Sequence, residues 1–455
     1  MRRLFGTDGV RGIANTDLTP ALALSIGQAL ATVLTGKKRT PVSVLVGYDT
    51  RQSSEMLAAA LSAGLLSGGA SVTILGVLPT PAVAHLVTKQ KRTAGVMISA
   101  SHNSFEYNGI KVFGSDGKKL PDELEMQIES IVLDQDPPPR SAEPSEIGRI
   151  DLTEGAVEDY LSHLRLAIPS RLDGMRIGID CANGVTSALA ERLFSSLGAE
   201  CHVLSAAPNG KNINLKCGST DLSDLSALVV REQLDLGVAF DGDADRCLAV
   251  DERGEEIDGD KMMAIFALDM KERGALKKST VVGTVMTNLG FTVFCKENGI
   301  GFIPAKVGDR YVLEAMDLEG LSFGGEQSGH IIFRDAATTG DGLLTAGRLL
   351  SLVKTKGTPL SVLASVMKRY PQYLKNLTVT PEEKLAFYTD SDIKEIVEHT
   401  EKELGDKGRL VVRPSGTEPY LRVMIEGEDE ETIKEMTESV SAKIAERLLS
   451  YRKEK

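Results

Sequence analysis

Three aspartates at alternate positions, Asp241, Asp243 and Asp245, are separated only by glycine and alanine. Apolar runs at 236–240 and 247–250 flank them, so the carboxylates occupy a turn between two predicted strands. Three carboxylates this close repel one another unless a cation neutralises them. An oxygen-only ligand set suits Mg²⁺, which completes its shell with water and phosphate oxygen. The segment therefore predicts a magnesium site and directs attention to phosphate chemistry.

Two other interpretations of the aspartate segment are a calcium loop and an acidic turn exposed to solvent. Glu252 stands at the twelfth position of a calcium loop that would begin at Asp241. Arg246, however, occupies the position where such a loop requires glycine, and the flanking segments are predicted strands instead of helices.

A segment rich in serine follows the predicted strand that ends at Ile98. Ligands bind at the carboxyl edge of an open α/β sheet, so a serine there, beside His102, is a candidate nucleophile. A hydrogen-bonded turn would use the same residue types. Lys111 is a candidate proton donor or phosphate partner nearby. Spacing alone leaves three candidate nucleophiles: Ser99, Ser101 and Ser104.

A loop between two predicted strands near the C-terminus combines arginines, hydroxyls and a glycine. Gly416 lets backbone N–H groups turn inward, Ser415 and Thr417 add hydroxyls, and Arg413 and Arg422 supply forked donors. These groups together would form an anion site. A tight turn with two surface arginines is the alternative.

A glycine-rich loop precedes His330. Glycines on both sides of Glu326 and Ser328 allow close approach to a ligand, and a carboxylate with a hydroxyl suits vicinal sugar hydroxyls. His330 is equally compatible with a structural or a catalytic role. Two further glycine turns present cations, one at Arg11 and one at 306–310, and helix-capping turns would explain both as well.

Composition limits the classes of partner. The 455 residues carry a formal net charge of −12, which argues against nucleic acid or an anionic membrane surface as the main partner. The five cysteines are widely spaced and predict free thiols in a cytoplasmic protein, with neither a disulfide framework nor a zinc site. The N-terminus leaves no room for a signal peptide, and no run of about 18 apolar residues predicts a membrane span.

Strand and helix patterns alternate along most of the chain, as in α/β proteins. Strands are predicted at 43–46, 71–75, 95–98, 175–179, 236–240, 247–250, 280–284, 376–380 and 410–412, with helices at 55–66, 154–166 and 261–271 and a final amphipathic helix. The prolines at 137–139 indicate a linker. We therefore predict domains at 1–150, 151–253, 254–370 and 371–455, the last a small α+β domain able to move as a lid.

Taken together and in this order, these segments resemble those of the α-D-phosphohexomutases over nearly the whole chain. The resemblance implies three related α/β domains with mixed sheets and a smaller C-terminal α+β domain around a central cleft. It implies that Ser101 is phosphorylated and that the three aspartates hold Mg²⁺ with its phosphate. The implied catalytic residues are Ser101, His102, Lys111, Arg11 and His330. The implied substrate-binding residues are Arg246, Lys306, Asp309, Arg310, Glu326, Ser328, Arg413, Ser415, Gly416, Thr417 and Arg422.

Within that superfamily the chain is most similar to bacterial enzymes that act on glucosamine phosphates. The segment 5–9, Ser104, Gln327 and the stretch 208–220 carry this similarity. One departure is Ala244, where the family more often has glycine. Alanine is small, so we expect little effect on metal binding unless the backbone angle there requires glycine.

This similarity implies interconversion of glucosamine 6-phosphate and glucosamine 1-phosphate through a glucosamine 1,6-bisphosphate intermediate, feeding UDP-N-acetylglucosamine synthesis. The partner would be a small sugar phosphate, with no nucleic acid or membrane, and the chain a monomer or homodimer. A mutase for glucose or mannose phosphates shares every catalytic residue. A metal-dependent sugar phosphatase and a non-catalytic sugar-phosphate sensor are rivals from other classes.

Overall fold

The computed structural model describes residues 3–6, 8–36, 42–153, 155–415 and 419–452. The chain divides into two compact units. The first comprises Met1–Thr284 and Ile300–Val366, and the second comprises Val285–Gly299 and Met367–Lys455. Three sheets lie in the first unit and one lies in the second.

The first sheet has six strands in the order β1-β5-β4-β2-β3-β6. Its central strands are parallel, whereas β5 runs antiparallel to both β4 and β1. The strands are β1 (Val10–Ile13), β2 (Val42–Tyr48), β3 (Ala70–Val77), β4 (Ala94–Ile98), β5 (Tyr107–Gly114) and β6 (Ile150–Leu152). The helices are α1 (Pro20–Thr35), α2 (Ser54–Ser67), α3 (Thr80–Lys89) and α4 (Asp122–Asp134).

Helices α1 and α2 pack closely over the apolar core of this sheet because glycines stand where they cross. A Cβ added at Gly27 would lie 2.2 Å from the Leu61 carbonyl oxygen, and one at Gly64 would lie 2.0 Å from that of Leu24. Helix α1 begins after Thr19, whose hydroxyl accepts a hydrogen bond from the backbone N–H of Leu22. This packing fixes the sheet whose edge carries Ser101.

The second sheet has the order β11-β10-β9-β7-β8. Strands β9 and β10 form an antiparallel pair, so the aspartate segment is the turn between them. The strands are β7 (Arg176–Asp180), β8 (Glu200–Leu204), β9 (Leu236–Phe240), β10 (Cys247–Val250) and β11 (Glu256–Ile257). The helices are α5 (Ala156–Ala167), α6 (Ala190–Ser196) and α7 (Ser223–Glu232).

The third sheet has the order β13-β12-β14-β15, with only the last pair antiparallel. Its strands are β12 (Thr280–Thr284), β13 (Gly301–Ala305), β14 (Phe323–Gly325) and β15 (Ile331–Phe333). The helices that follow α7 are α8 (Gly259–Glu272), α9 (Leu289–Glu297), α10 (Asp309–Glu319), α11 (Gly342–Lys356) and α12 (Leu360–Ala364). Of these, α9 belongs to the second unit.

The second unit contains a three-stranded antiparallel sheet in the order β16-β18-β17. Its apolar residues form a core of their own. The buried Glu426 carboxylate joins α9 to this sheet, since it accepts hydrogen bonds from the Asn288 side chain, the Leu289 N–H and Arg409. The remaining elements are β16 (Gln372–Thr378), α13 (Pro381–Thr389), α14 (Ser391–Leu404), β17 (Gly408–Pro414), β18 (Tyr420–Gly427) and α15 (Glu430–Leu449).

The predicted fold, with three α/β domains that have mixed sheets and a smaller C-terminal α+β domain, is confirmed. The first sheet continues beyond the prolines at 137–139, because β6 follows them and pairs with β3. Within the described residues, no helix combines the length and apolarity needed to cross a bilayer.

Candidate active site

Ser101 lies in the loop at the carboxyl end of β4 and is fully buried. Its Oγ donates to Oδ2 of Asp241 at 2.5 Å and lies 3.4 Å from Nδ1 of His102. The other two candidate serines have different surroundings. Ser99 Oγ accepts the Ser101 N–H at 2.9 Å, and Ser104 is exposed. Only Ser101 of the three therefore presents its hydroxyl to the aspartate turn.

Two side chains hold the Ser101 loop through its main-chain carbonyls. Arg51 donates to the carbonyl oxygens of Ser101 and Asn103 at 3.1 and 2.6 Å. Asn214 Nδ2 donates to the same two oxygens, each at 2.9 Å. Arg51 is fully buried and forms an ion pair with Asp49, which fixes its guanidinium. These contacts hold the loop and leave the Ser101 hydroxyl available. They also hold Ser101 at φ of +53°, in the left-handed region.

The three aspartates between β9 and β10 bring carboxylate oxygens within 4.8 Å of one another, and all three are buried. Among the described residues, Oδ1 of Asp243 and Oδ1 of Asp245 have no hydrogen-bond partner. Burial and the charges of Asp245 and Asp243 raise the pKa of Asp241 well above its usual range. Buried carboxylate oxygens without partners, in three side chains this close together, fit a hard divalent cation.

The backbone of the aspartate turn packs directly on the serine loop. A Cβ added at Gly242 would lie 2.7 Å from the Ser101 carbonyl oxygen, so glycine is required for this approach. Ala244 has φ of +58°, in the left-handed region that favours glycine. Alanine adopts this angle here, so the backbone favours glycine at position 244 without requiring it, and the small effect expected on metal binding stays a prediction.

Lys111, on β5, extends its ammonium group into the aspartate turn. Nζ lies 2.8 Å from Oδ2 of Asp243, 3.1 Å from Oδ2 of Asp8 and 3.3 Å from Oδ2 of Asp245. Burial lowers the pKa of Lys111, but these three carboxylates outweigh it and raise the pKa well above its ordinary value. Thr80 Oγ1 also donates to Asp243 Oδ2, at 2.5 Å. Lys111 is therefore an ammonium ion placed beside the proposed metal ligands.

Asp8 joins the remaining cations of this region. It forms ion pairs with Arg11 and with Lys119, and Lys119 in turn lies 2.6 Å from Oδ2 of Asp309. Burial lowers the pKa of Lys119, and the charges of Asp309 and Asp8 reverse that effect and raise it. Arg11 also donates to Oδ1 of Asn103 at 3.3 Å. The first and third sheets thus meet at the site through alternating charges.

His330, just before β15, lies between two carboxylates. Its Nδ1 is 3.8 Å from Oδ2 of Asp245, and its Nε2 is 3.7 Å from Oδ2 of Asp309. Burial lowers the pKa of His330, but the adjacent Asp245 carboxylate and the charges of Asp309 and Glu326 raise it overall. The Gly340 N–H donates a hydrogen bond to Nε2 at 2.9 Å. This bond opposes the rise in pKa, because protonation of His330 would put a hydrogen on Nε2 and leave no acceptor there. In the neutral ring, the proton therefore lies on Nδ1, facing Asp245.

The glycine-rich loop before His330 presents polar atoms that lack protein partners. Among the described residues, Gln327 Nε2, Ser328 Oγ and Arg246 Nε are buried without a hydrogen bond. Glu326 accepts from the Gly308 N–H at 3.1 Å, and burial raises the pKa of its carboxyl group. Buried polar atoms without partners are costly, so this surface suits a hydroxyl-rich ligand.

Two predicted substrate ligands have other surroundings. The Arg310 guanidinium donates to Oε1 of Glu125 at 2.6 Å and to the Leu120 carbonyl oxygen at 2.8 Å, which ties α10 to the first domain. Lys306 is exposed, with Nζ 5.7 Å from the centre of the Tyr311 ring. Arg310 therefore has a bracing role in this structure, whatever contacts a substrate adds.

The predicted phosphate-binding residues lie on the second unit. Arg413 on β17 and Arg422 on β18 are directly opposite each other in the antiparallel pair. Burial and the charge of Arg422 lower the pKa of Arg413, and like charges facing each other destabilise a sheet unless an anion joins them. Ser415 follows β17 and is buried. Gly416 and Thr417 lie outside the described residues.

Sequence reasoning missed several residues that build the site. Arg51 and Asp49 follow directly on β2, at the same sheet edge as Ser101, and that position is the signal that could have indicated them. Asn214 falls in a stretch that suggested substrate specificity, but its side chain braces the serine loop. Lys119 and Thr80 gave no local signal, because their partners are distant in sequence.

Family models match almost the entire chain. Their descriptions are phosphoglucomutase/phosphomannomutase alpha/beta/alpha domain I, at 2–138, domain II, at 158–254, and domain III, at 258–370. The C-terminal domain of the same family matches residues 374–443.

Proteins similar to the chain over its whole length include phosphoglucosamine mutases. A phosphoglucosamine mutase of Caldanaerobacter subterraneus subsp. tengcongensis is 53% identical, with 98% of this chain and 100% of the relative covered. A phosphoglucosamine mutase of Thermoanaerobacter sp. (strain X514) is 52% identical, with the same coverage. Among solved structures, a phosphoglucomutase/phosphomannomutase family protein from Burkholderia thailandensis superposes with a TM-score of 0.82 at 21% identity, covering 97% of both chains.

Proposed function

Because the chain belongs to the phosphoglucomutase/phosphomannomutase family, we propose that it interconverts glucosamine 6-phosphate and glucosamine 1-phosphate through a phosphorylated Ser101. One observation carries the mechanism: Ser101 Oγ is 2.5 Å from Asp241, in a buried turn of three carboxylates with Lys111 alongside. The relatives named phosphoglucosamine mutase, at about half identity over the full length, support the substrate.

Mg²⁺ is the proposed metal, held by Asp241, Asp243 and Asp245. The two buried carboxylate oxygens without partners and the raised pKa of Asp241 support this assignment. When bound, the cation would offset negative charge on the transferring phosphoryl group. Lys111 adds a fixed positive charge at the same position.

The proposed transfer breaks the P–O bond to Ser101 Oγ and forms a P–O bond to a sugar hydroxyl, O6 or O1. The hydroxyl loses its proton to a neighbouring base, and Ser101 Oγ is left to regain one. His102 is neutral at pH 7, since burial and the charges of Arg246 and Arg11 lower its pKa to about 4. His330, with its raised pKa, is the other imidazole able to exchange a proton here.

The resulting 1,6-bisphosphate must return its other phosphate to Ser101 to complete the isomerisation. We assign the phosphate that is not reacting to the loop carrying Arg413, Ser415 and Arg422, together with Gly416 and Thr417. The facing arginines support an anion there, as does the lowered pKa of Arg413. A cytoplasmic location is part of the proposal, and the five free cysteines are consistent with a reducing compartment.

A coupled assay with Mg²⁺ tests the substrate. Glucosamine 1-phosphate, glucose 1-phosphate and mannose 1-phosphate are compared while the 6-phosphate and free phosphate are both followed. We expect preference for glucosamine 1-phosphate without phosphate release. Preference for another sugar would contradict the substrate, and phosphate release alone would contradict the mutase reaction.

Ser101→Ala tests the covalent intermediate, with Ser104→Ala as the matched control. Both remove one hydroxyl from the same loop, but Ser104 is exposed and does not face the aspartates. With glucosamine 1,6-bisphosphate supplied, we expect turnover only in Ser104→Ala. Near-normal turnover in Ser101→Ala would refute the phosphoserine.

A further inference from the structure

The first unit contains a cavity of about 380 Å³ lined by none of the residues assigned to the active site. Its floor is apolar and consists of Phe266, Met270, Phe333 and Leu352, each less than a tenth exposed. The rings of Phe266 and Phe333 meet edge to face with centres 5.0 Å apart. This volume falls within the roughly 300–1,000 Å³ of small-molecule sites.

The rim of this cavity is basic although the chain as a whole is acidic. Five basic and two acidic side chains line it, against a formal net charge of −12 for the chain. Lys277 has no ion pair among the described residues. Four of the basic groups do pair with carboxylates, but partly exposed pairs of this kind contribute only about 0–1 kcal/mol, so a phosphate can replace them. The basic side chains are Arg273, Lys277, Arg334, Arg348 and Lys356.

Helix ends do not explain this charge. A helix C-terminus favours cations, which accounts for Lys356 at the end of α11 and Arg273 just after α8. Lys277 and Arg334 lie on other segments. Arg348 lies in the middle of α11, with its guanidinium carbon 4.5 Å from the centre of the Phe333 ring. A cation stacked on an aromatic floor beside further cations indicates a ligand that combines a ring with negative charge.

We propose that this cavity binds a nucleoside diphosphate, with the base stacked on the Arg348 guanidinium that covers the Phe333 ring, and the phosphates at the basic rim. Bases stack on aromatic rings and on guanidinium groups, and phosphates accept from arginine and lysine. An inorganic phosphate would leave the Arg348 guanidinium without a stacking partner, and an uncharged ring would make no use of Lys277, which has no ion pair among the described residues. Nucleotidyl transfer consumes sugar 1-phosphates and yields nucleoside diphosphate sugars, so ligands of this class arise where the proposed product is used.

Three elements connect the cavity to the active site. Helix α8 begins at Gly259, whose N–H donates to the Gln327 carbonyl oxygen at 2.9 Å. Helix α11 begins at Gly342, whose N–H donates to the Ala244 carbonyl oxygen at 2.9 Å. Strand β15 begins directly after His330. The far ends of α8 and α11 line the cavity, about 20 Å from these starts for helices of this length, and Phe333, three residues after His330, lines it about 10 Å along β15. Occupation of the cavity is therefore expected to alter turnover.

Isothermal titration calorimetry of the full chain with UDP tests the site. We expect UDP to bind and Lys277→Glu to weaken binding by about tenfold or more. Thr355→Trp, at an exposed position of α11 that lines the cavity, should do the same by filling it. Lys354→Glu is the matched control, with the same charge change on an exposed neighbour outside the cavity, and should bind normally.

Three results would overturn the proposal. One is wild-type affinity for UDP in both Lys277→Glu and Thr355→Trp. Another is loss of UDP binding in Arg413→Ala, which would assign the nucleotide to the active site. The third is equal affinity for inorganic pyrophosphate and UDP, which would reduce the cavity to a simple anion site; pyrophosphate and uridine alone should each bind about tenfold more weakly.

Turnover supplies a second measurement. This measurement rests on the proposed function, whereas the binding measurement is independent of it. At saturating sugar phosphate, UDP is expected to change turnover by about twofold or more in the wild type and in Lys354→Glu, but not in Lys277→Glu. An effect that excess sugar phosphate abolishes would indicate competition and contradict the assignment. Binding without any change in turnover would contradict the connection through the three elements.

Discussion

Asn214→Ala removes one of the two side chains that hold the serine loop. Its Nδ2 donates to the carbonyl oxygens of Ser101 and Asn103, both at 2.9 Å, and it makes no contact with the aspartate carboxylates. Arg51 still donates to both oxygens in the variant, so neither is left buried without a partner. We therefore expect the chain to fold with a serine loop that is less precisely placed.

The magnitude follows from the two lost hydrogen bonds. Each contributes about 1 kcal/mol net, so the loop loses about 2 kcal/mol of restraint. Ser101 has a left-handed backbone angle, which stores about 1–3 kcal/mol that the loop can relieve by moving. If the whole 2 kcal/mol is lost from the reactive geometry, kcat falls about 30-fold. We expect a decrease of about 10- to 30-fold, with KM little changed.

Asn212→Ala is the matched control. Asn212 is half-buried like Asn214, and its side chain also makes two hydrogen bonds, accepting from the Asn209 N–H at 2.9 Å and donating to the Ala207 carbonyl oxygen at 3.0 Å. Urea unfolding should show a loss of about 1–2 kcal/mol in Asn212→Ala and about 1 kcal/mol more in Asn214→Ala, because Asn214 has φ of +56°, an angle that asparagine adopts more readily than alanine. Steady-state assays with glucosamine 1-phosphate should show the loss of kcat only in Asn214→Ala. Equal kcat in the two variants, or a change confined to KM, would refute the bracing role.

Three further predictions concern the metal, pH and the second unit. EDTA should abolish turnover, and Mg²⁺ should restore initial rates in the wild type but not in Asp243→Asn. Burial raises the pKa of Asp341 to about 6. The protonated side chain therefore stabilises the fold fully below about pH 4, and about 3 kcal/mol of this stability is lost as the pH rises past 6. Asp341→Asn, which still accepts from the Tyr160 hydroxyl, should remove this slope in urea unfolding at pH 4–7. Arg409→Met leaves the buried Glu426 carboxylate without its ion pair and should lower the free energy of unfolding by about 3 kcal/mol, measured by denaturant titration.

Strands buried on both faces were predictable because they are short apolar runs with clear ends. The predicted strands at 236–240, 247–250 and 280–284 are confirmed to the residue as β9, β10 and β12. Strand β5 was not predicted, since asparagine, glycine and lysine interrupt its pattern. The lysine is Lys111, which alternation directs into the site instead of the core. The polar residue that serves the site therefore interrupts the apolar pattern by which β5 could have been predicted.

The site was predictable where its residues cluster in sequence and not where they meet only in space. The aspartate turn and the serine loop each form a compact segment, so their chemistry could be inferred locally. The contact between Lys119 and Asp309 joins residues 190 positions apart, and the bond between Thr80 and Asp243 joins residues 163 apart. No local pattern distinguishes such side chains from ordinary surface residues, because only the packing of the first domain against the second and third brings them together.

The way the serine loop is held is consistent with a hydroxyl that alternates between free and phosphorylated forms. Arg51 and Asn214 bond to main-chain oxygens, so adding a phosphoryl group to Ser101 breaks neither contact. The hydrogen bond from Ser101 Oγ to Asp241 cannot survive, because phosphorylation removes the donor proton. A carboxylate and a phosphoryl group of like charge would then face each other in a buried turn that already contains two more carboxylates. Lys111 offsets only part of that charge, so the phosphorylated form requires the divalent cation more strongly than the free form does.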